Sequence, residues 1–318
     1  MPTAKSPRKG SLQFWPRKRA KKFLPRVNWK IVSDENVKGL KGFICYKAGM
    51  KSAIVKDSTE HSMTKGKRIA VPVTILECPS MKIFSVRFYK GGVVNKEIIV
   101  EESLKDKELK KKVKLPKVSK KKLDDVKLEE FDNITVIVYS QVKKTNLKKT
   151  PDLSEISVVG NDVEEKLKFV KENVGKEISV SDIFEKGQLV DVRGLTTGRG
   201  LSGPVKRFGI TLKSHKSEKG RRRPGSLGPW HPARVTFRAP QAGQLGMFTR
   251  LVYNNKVLDL GKAEDKFKNI KNYGDLKTDY IIIRGSVQGP SKRQLLLTAS
   301  LRPTKKQTKK KLEVLEIR

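Results

Sequence analysis

Residues 196–250 place the strongest constraint on how this chain can fold. These 55 residues hold twelve Lys or Arg and one acidic residue, together with nine Gly and five Pro. No helical or strand period extends beyond a few residues, and a segment so rich in breakers cannot build a core of its own. Lysine and arginine neutralise phosphates, and the released counterions drive binding. We therefore expect a loop that is disordered alone and folds into a polyanion; we call residues 196–250 the finger.

The charge of the whole chain also indicates a nucleic acid partner. It reaches +38 at pH 7, with a sequence pI near 10.2, and such a surplus is typical of nucleic-acid-binding proteins. Cys45 and Cys78 lie far apart in the sequence, which predicts buried, reduced thiols in a cytosolic protein. No apolar run approaches the roughly 18 residues of a membrane span. The N-terminus also lacks the apolar region of a secretory signal, so the expected location is the cytoplasm.

Residues 1–30 form a second basic segment, with ten basic residues, no acidic residue and four prolines that exclude a long helix. Phe14 and Trp15 lie beside a run of cations. This combination suits irregular RNA, because bases stack on aromatic rings while cations hold phosphates. The alternative is a solvated tail whose aromatic residues anchor it on the folded domain.

The remaining sequence is typical of a mainly β protein. Runs rich in β-branched and aromatic residues predict strands at residues 68–77, 83–89, 133–139 and 188–195. Residues 42–55 predict two short strands around a turn at Ala48-Gly49. Residues 251–260 predict a hairpin with Asn254-Asn255 at its turn. Residues 279–286 and 294–299 predict a second hairpin.

Residues 101–175 have a different character, with nearly balanced charges. Residues 101–112 resemble a charged surface helix. Asp162 and Glu165 form a capping-box signal, apolar residues follow at helical spacing, and Gly175 ends the predicted helix. These features predict an α/β insertion packed on the β core.

The predicted fold is therefore a small β-barrel with an α/β insertion, a long basic loop and a basic N-terminal extension. The predicted domains are the N-terminal extension (1–30), the first part of the barrel (31–100), the insertion (101–180), a barrel strand (181–195), the finger (196–250), the closing part of the barrel (251–301) and a basic C-terminal tail (302–318).

The sequence around Trp230 is the most distinctive part of the finger. Pro229 and Pro232 flank Trp230 and His231 within a basic loop. Proline on both sides prevents strand or helix pairing, so the ring is expected to project from a stiff corner and to stack on a nucleotide. The alternative is an indole packed against the barrel.

The residue patterns argue against an enzyme. Residues 198–203 match G-x-G-x-x-G after a predicted strand, but a dinucleotide site needs a helix there and an acidic residue about twenty positions later. Pro204 and Gly209 argue against a helix, and residues 221–223 are arginines where an acidic residue is required. No cofactor is therefore expected. The three histidines are far apart and lack metal-ligand spacing, and no nucleophile motif is present. The alternatives are an RNA-modifying enzyme with basic capture tails and a DNA-packaging protein, although the latter predicts aromatic-poor tails.

Three stretches carry a family resemblance that covers nearly the whole chain. SLQFWPRKRAKK, GLTTGRGLSGPVKRFGI and PGSLGPWHPARVTFRAPQAGQLG together resemble the universal large-subunit ribosomal protein three family. The archaeal and eukaryotic type fits best, and the length is most similar to archaeal members. The flank of His215, KSHKSEKG, departs from the eukaryotic pattern around the histidine that some members methylate.

The resemblance implies a structural protein of the large ribosomal subunit. It implies a surface barrel, a finger and an N-terminal extension that thread into large-subunit rRNA of the 23S type, early binding during assembly, and neighbouring ribosomal proteins as partners. It places Trp230 at the finger tip near the peptidyl-transferase centre and His215 in the basic part. The residues predicted to bind RNA are Phe14, Trp15, Arg17, Lys18, Arg19, Arg199, Lys206, Arg207, Lys213, His215, Arg221, Arg222, Arg223, Trp230, His231, Arg234 and Arg238.

Overall fold

The chain divides into two compact units. The computed structural model describes residues 7–34, 37–117, 119, 123, 126, 128–217, 219–263 and 267–318. One unit, here the finger unit, comprises Met1–Phe23 and Leu195–Arg250. The other, the β unit, comprises Leu24–Gly194 and Leu251–Arg318. The N-terminal extension and the finger, which were predicted as separate segments, thus belong largely to one unit.

Strands account for most of the regular structure, which confirms the prediction of a mainly β protein. They are β1 (Gly42–Asp57), β2 (Arg68–Cys78), β3 (Met81–Lys90), β4 (Val93–Ile99), β5 (Asn133–Ser140), β6 (Leu153–Ser157), β7 (Leu189–Leu195), β8 (Leu201–Ser202), β9 (Gly243–Gln244), β10 (Thr249–Lys262), β11 (Asp279–Arg284), β12 (Gln294–Ala299) and β13 (Leu312–Ile317). The helices are α1 (Glu101–Leu104), α2 (Val163–Asn173), α3 (Pro204–Phe208) and α4 (Lys305–Thr308), with 3₁₀ turns at Leu109–Lys111, Leu128–Glu130, Val142–Thr145 and Val180–Asp182.

Two sheets build the β unit. The larger has the strand order β12-β7-β10-β11-β2-β1-β13, and β12 also pairs with β1, from Gly42 opposite Thr298 to Tyr46 opposite Gln294. The smaller has the order β4-β3-β5-β6. Its β3 and β4 precede residue 101, where the insertion was predicted to begin. The strands that bracket the finger, β7 and β10, are neighbours in the larger sheet.

Buried aliphatic and aromatic side chains from both sheets form the main core, including Phe43, Phe88 and Leu296. Cys45 and Cys78 are buried in it as free thiols, as predicted. Trp29 also belongs to this core, and its indole N–H donates to the Glu155 carbonyl oxygen at 3.1 Å. The end of the predicted N-terminal extension is therefore anchored on the β unit.

Two predicted turns are wrong, because both sequences lie inside continuous strands. β1 runs through Ala48-Gly49 with a shift in its pairing with β2 between Lys47 and Gly49. β10 runs through Asn254, whose φ of 57° interrupts the regular strand conformation. The backbone N–H of Asn254 donates to Oδ1 of Asp191 on β7 at 2.8 Å. Glycine and asparagine mark irregular positions here, because both residues tolerate irregular backbone. At Asn254, the Asp191 carboxylate also satisfies the displaced amide.

The predicted hairpin of residues 279–299 is also wrong, although both strands are present. β11 pairs with β10 and β2, whereas β12 pairs with β7 and β1. The connecting loop is held by Lys47, whose ammonium donates to the carbonyl oxygens of Val287 at 2.8 Å and Gly289 at 2.9 Å. A long-range cation fixes this connection, and the local sequence does not reveal it.

The helices differ from expectation in one case and agree in another. The predicted helix of residues 101–112 is wrong: only α1 and one 3₁₀ turn form, because buried Leu109 packs with Phe84 and Tyr139. α2 confirms the second helix, with Leu167 buried along its inner face. Asp162 occupies its N-cap without a side-chain hydrogen bond to the helix. Among the described residues, no helix has the length and apolar character of a membrane span.

The predicted C-terminal tail is structured. β13 pairs with β1, from Ala53 opposite Ile317 to Asp57 opposite Leu312. The alternation of apolar and charged residues in Leu312–Ile317 is typical of a half-buried strand. The lysine run before it concealed this pattern in the charge-based prediction.

Candidate nucleic-acid interface

The base of the finger is a short two-stranded ribbon. Backbone bonds join Arg199 N to Leu245 O at 2.9 Å and Leu245 N to Gly200 O at 2.9 Å, and β8 pairs with β9. Gly246 has a φ of 80° at this ribbon. We call residues 195–208 and 243–250 the base and residues 209–242 the tip.

A helix follows the glycine pattern of the finger, contrary to the sequence expectation. α3 begins with Pro204, a favourable first helical residue, and ends at Gly209, whose φ of 67° is left-handed. The helix has five residues, too few to direct a dipole of the kind found in dinucleotide sites. Its role is to place Phe208, which is buried, in the base.

The N-terminal extension supplies the apolar contacts that the finger lacks. The ring centroid of Trp15 lies 6.1 Å from that of Phe208, with 23° between the ring planes, and 5.7 Å from that of Phe237. The indole N–H of Trp15 donates to the Ser11 carbonyl oxygen at 2.7 Å, and the Ala20 amide donates to Met247 O at 2.9 Å. The extension therefore folds against the base instead of forming an independent tail.

Two predicted phosphate ligands, Arg17 and Arg207, also bind protein atoms of the finger. Nη1 of Arg17 donates to the Arg207 carbonyl oxygen at 2.7 Å, and its guanidinium lies 4.3 Å from the Phe208 centroid. The Arg207 guanidinium donates to the carbonyl oxygens of Gln244 and Gln241, each at 3.0 Å. Burial, with the charge of Arg8, lowers the pKa of Arg17; burial, with the charge of Arg17, lowers the pKa of Arg207. Both remain cations and join the extension to the base.

Two further arginines, Arg250 and Arg8, contact the aromatic and backbone groups of the finger unit and were not predicted from the sequence. The Arg250 guanidinium lies 4.2 Å from the Phe14 centroid and 5.2 Å from that of Phe248. Arg8 donates from Nη2 to the Arg238 carbonyl oxygen at 2.7 Å. An arginine close to several aromatic residues in a basic segment is a detectable signal for cation–π stacking, but only the fold brings Phe14 to Arg250.

The tip has no helix or strand among its described residues, 209–217 and 219–242. Trp230 is 83% exposed, which excludes the alternative of an indole packed against the fold. Lys213 N donates to Arg221 O at 3.1 Å and supports the turn that contains His215. Most side chains of the described tip are exposed, although the ring of Phe237 contacts that of Trp15 in the extension.

Most of the predicted RNA-binding residues are exposed. Three are partly buried where the extension packs on the base: Trp15, Arg17 and Arg207. The exposed ones are Phe14, Lys18, Arg19, Arg199, Lys206, Lys213, His215, Arg221, Arg222, Arg223, Trp230, His231, Arg234 and Arg238. No carboxylate occurs in residues 196–217 or 219–250, so no side chain of the described finger neutralises these cations.

The described residues offer no alternative chemistry at this site. No group of three or more His, Cys, Asp or Glu side chains within the described ranges converges to hold a metal ion. What the finger unit presents is a fixed aromatic and arginine base and an exposed cationic tip. Cations and exposed aromatic rings are the groups with which nucleic-acid-binding proteins contact phosphates and stack on bases.

Comparison with known proteins identifies the family. The family model described as Ribosomal protein L3 matches residues 1–317. The large ribosomal subunit protein uL3 of Methanothrix thermoacetophila is 38% identical over 316 residues, which cover 95% of this chain and 93% of that protein. Those of Methanocaldococcus jannaschii and Methanococcus vannielii are 37% and 39% identical over 310 residues, which cover 93% of this chain and 92% of each relative.

Proposed function

Because the chain belongs to the ribosomal protein L3 family, we propose that it is a structural constituent of the cytoplasmic large ribosomal subunit. It is an rRNA-binding protein and not an enzyme. The observation that carries this function is the exposed, carboxylate-free array of cations around Trp230 in the described tip. Such a surface gains its order and its affinity from a phosphate backbone.

The base and the tip of the finger have different roles: the base provides structural contacts, and the tip contacts RNA. In the base, contacts of Trp15 and Arg17 with Phe208 and with the Arg207 carbonyl oxygen hold the extension and the finger together, while Lys206 is exposed. In the tip, arginine and lysine contact phosphates while Trp230 stacks on a base. Contacts of this kind fix position and register more than they select sequence.

The finer architecture supports the same function. Because β12 pairs with both β7 and β1, the strands from β12 to β1 form a closed ring in the larger sheet. This closure favours a small barrel. The finger leaves this barrel from neighbouring strands and forms a long basic loop. The domain division 1–30, 31–100, 101–180, 181–195, 196–250, 251–301 and 302–318 remains the proposed organisation, with four exceptions. Trp29 is anchored on the β unit, and most of the extension shares one unit with the finger. The strands β3 and β4 share a sheet with β5 and β6, and β13 pairs with β1.

Family membership also indicates which RNA and which proteins the chain contacts. The RNA is large-subunit rRNA of the 23S type, neighbouring ribosomal proteins contact the β unit, and binding occurs early in subunit assembly. The tip supports the architecture near the peptidyl-transferase centre. Family membership and the exposed tip support these assignments.

Replacing Trp230 with alanine tests the role of the tip. Because stacking on aromatic residues is worth about 1–3 kcal/mol per base, we expect roughly 5- to 150-fold weaker binding to large-subunit rRNA. Chemical probing of the rRNA should show increased reactivity near the catalytic centre. Trp230→Phe, which retains a ring, should keep most of the affinity.

Val235→Ala is the matched control, because Val235 is an exposed apolar residue of the same tip. It should bind like the unchanged chain. Equal affinity and equal rRNA reactivity for Trp230→Ala and Val235→Ala would show that the indole does not contact RNA.

A further inference from the structure

Residues 302–311, here the lysine segment, form a second concentrated basic surface. The segment RPTKKQTKKK contains six basic residues and no acidic residue. The side chains of Arg302, Lys305, Lys306, Lys309 and Lys311 are exposed. Unlike the finger, this segment belongs to the β unit.

The fold fixes both ends of the lysine segment. At one end, Nδ2 of Asn254 donates to the Arg302 carbonyl oxygen at 2.9 Å. At the other, the Lys311 amide donates to Oγ1 of Thr59 at 3.0 Å, and the Ser58 amide donates to the Lys311 carbonyl oxygen at 3.0 Å. The segment is therefore attached to β10 and to the β1–β2 loop.

The ammonium of Lys256 holds the middle of the segment. Its Nζ donates to the carbonyl oxygens of Gln307 at 3.0 Å and Thr308 at 3.2 Å, and also to that of Lys310. A cation at the last carbonyls of a helix stabilises the helix terminus. This contact explains how α4, whose four residues include two lysines, keeps a defined geometry.

This geometry concentrates like charges. Burial lowers the pKa of Lys256, and the nearby Arg284 and Lys310 lower it further. Of two nearby carboxylates, Asp259 pairs with Lys186 at 2.6 Å. Glu313, which follows the segment, accepts a hydrogen bond from the uncharged Ser58 hydroxyl at 3.0 Å. A mobile tail would let its charges separate, whereas this fold keeps them together.

We propose that the lysine segment is a second RNA-binding surface, on which Lys305, Lys306 and Lys309 contact the phosphodiester backbone. The proposal rests on the rRNA-binding function of the chain. The segment contains no aliphatic or aromatic side chain except Pro303. Protein interfaces bury an apolar core, so a polyanion suits this surface better than a folded protein. Lysine acts as a point charge, which fits phosphate contacts without base recognition.

The test is the salt dependence of binding between the full chain and purified large-subunit rRNA, with excess tRNA as competitor. Each lost phosphate contact reduces the slope of log affinity against log salt by about 0.7–0.9. We expect the triple variant Lys305→Gln, Lys306→Gln, Lys309→Gln to reduce the slope by roughly 2. Lys256→Met should reduce it in the same direction, because the segment loses its central contact while the exposed charges remain.

The matched control is Lys105→Gln, Lys107→Gln, Lys168→Gln. These exposed lysines lie in the charge-balanced part of the β unit, each within four positions of an acidic residue in the sequence. Their loss should leave the slope unchanged. As a second measurement, acetylation of Lys305, Lys306 and Lys309 should fall when rRNA is bound.

The outcomes separate this proposal from the function on which it rests. If the unchanged chain prefers rRNA over tRNA, the lysine segment is tested separately. If the triple variant then keeps the salt slope, and acetylation of Lys305, Lys306 and Lys309 in the unchanged chain is the same with and without rRNA, the lysine segment contacts another partner, such as an acidic protein, and the proposal is wrong. If the unchanged chain shows no preference for rRNA, both the function and the proposal are wrong.

Discussion

Replacing Arg221, Arg222 and Arg223 together with glutamine is expected to weaken rRNA binding about 10²-fold near 0.1 M salt. These three side chains are exposed in the tip, and the described finger contains no carboxylate that could pair with them. Three lost phosphate contacts lower the salt slope by roughly 2–3, and the loss of affinity grows as salt is reduced. Filter binding or fluorescence anisotropy across a salt series measures both quantities.

A charge-preserving variant separates charge from hydrogen-bond geometry. Arg221→Lys, Arg222→Lys, Arg223→Lys keeps three cations but loses the planar fork that binds phosphate with two donors. It should retain the slope and lose only part of the affinity. A glutamine variant that binds as tightly as the unchanged chain at all salt concentrations would contradict a phosphate-binding tip.

The second large effect is expected from Gly246→Ala, at the ribbon of the base. A Cβ at this position would lie 1.9 Å from the Thr197 carbonyl oxygen and 2.9 Å from Cα of Gly198, and the φ of 80° is unfavourable for alanine. Both contacts are with backbone, so the chain itself must move. We expect the base to open, at a cost of about 3 kcal/mol or more.

Hydrogen exchange at the amides of Arg199 and Leu245 measures this opening, because their bonds form the ribbon. Protection should fall at least about 100-fold, which corresponds to about 3 kcal/mol. Gly225→Ala is the control, since no atom lies within 4 Å of its added Cβ. Unchanged protection in Gly246→Ala would mean that the ribbon does not set the conformation of the base.

The sequence predicts elements whose pattern is local. β2, β3, β5 and β7 follow runs of β-branched and aromatic residues, and α2 follows apolar residues at helical spacing. The charge and breaker content of residues 196–250 also predicts a tip without helix or strand. These features depend on composition and period, which a single sequence displays directly.

The features that sequence reasoning missed depend on distant partners. The continuous β10 requires Asp191 to accept from the bulged Asn254, and the separation of β11 from β12 requires Lys47 at their connecting loop. Local turn chemistry favoured hairpins in both places, and long-range hydrogen bonds overrode it.

In the candidate site, too, some features follow from the local sequence and others depend on residues that are distant in the chain. Exposure of Trp230 follows from the flanking prolines, as predicted. The contacts of the base do not follow from any local pattern, because Arg17 and Phe208 meet across 191 positions of the chain. Charge alone assigned Arg17 and Arg207 to phosphates, whereas their contacts show that they also fasten the protein to itself.

We expect the base to be folded in the free protein and the tip to become ordered only when it binds RNA. Hydrogen exchange of the full chain, measured with and without large-subunit rRNA, is the most direct test of this expectation. In the free chain, the amides of Ala20, Arg199 and Leu245 should be protected, since each is hydrogen-bonded in the base, while residues 225–236 exchange rapidly. Binding of rRNA should protect residues 225–236 and leave the base unchanged. Equal protection of residues 225–236 with and without rRNA would contradict the account.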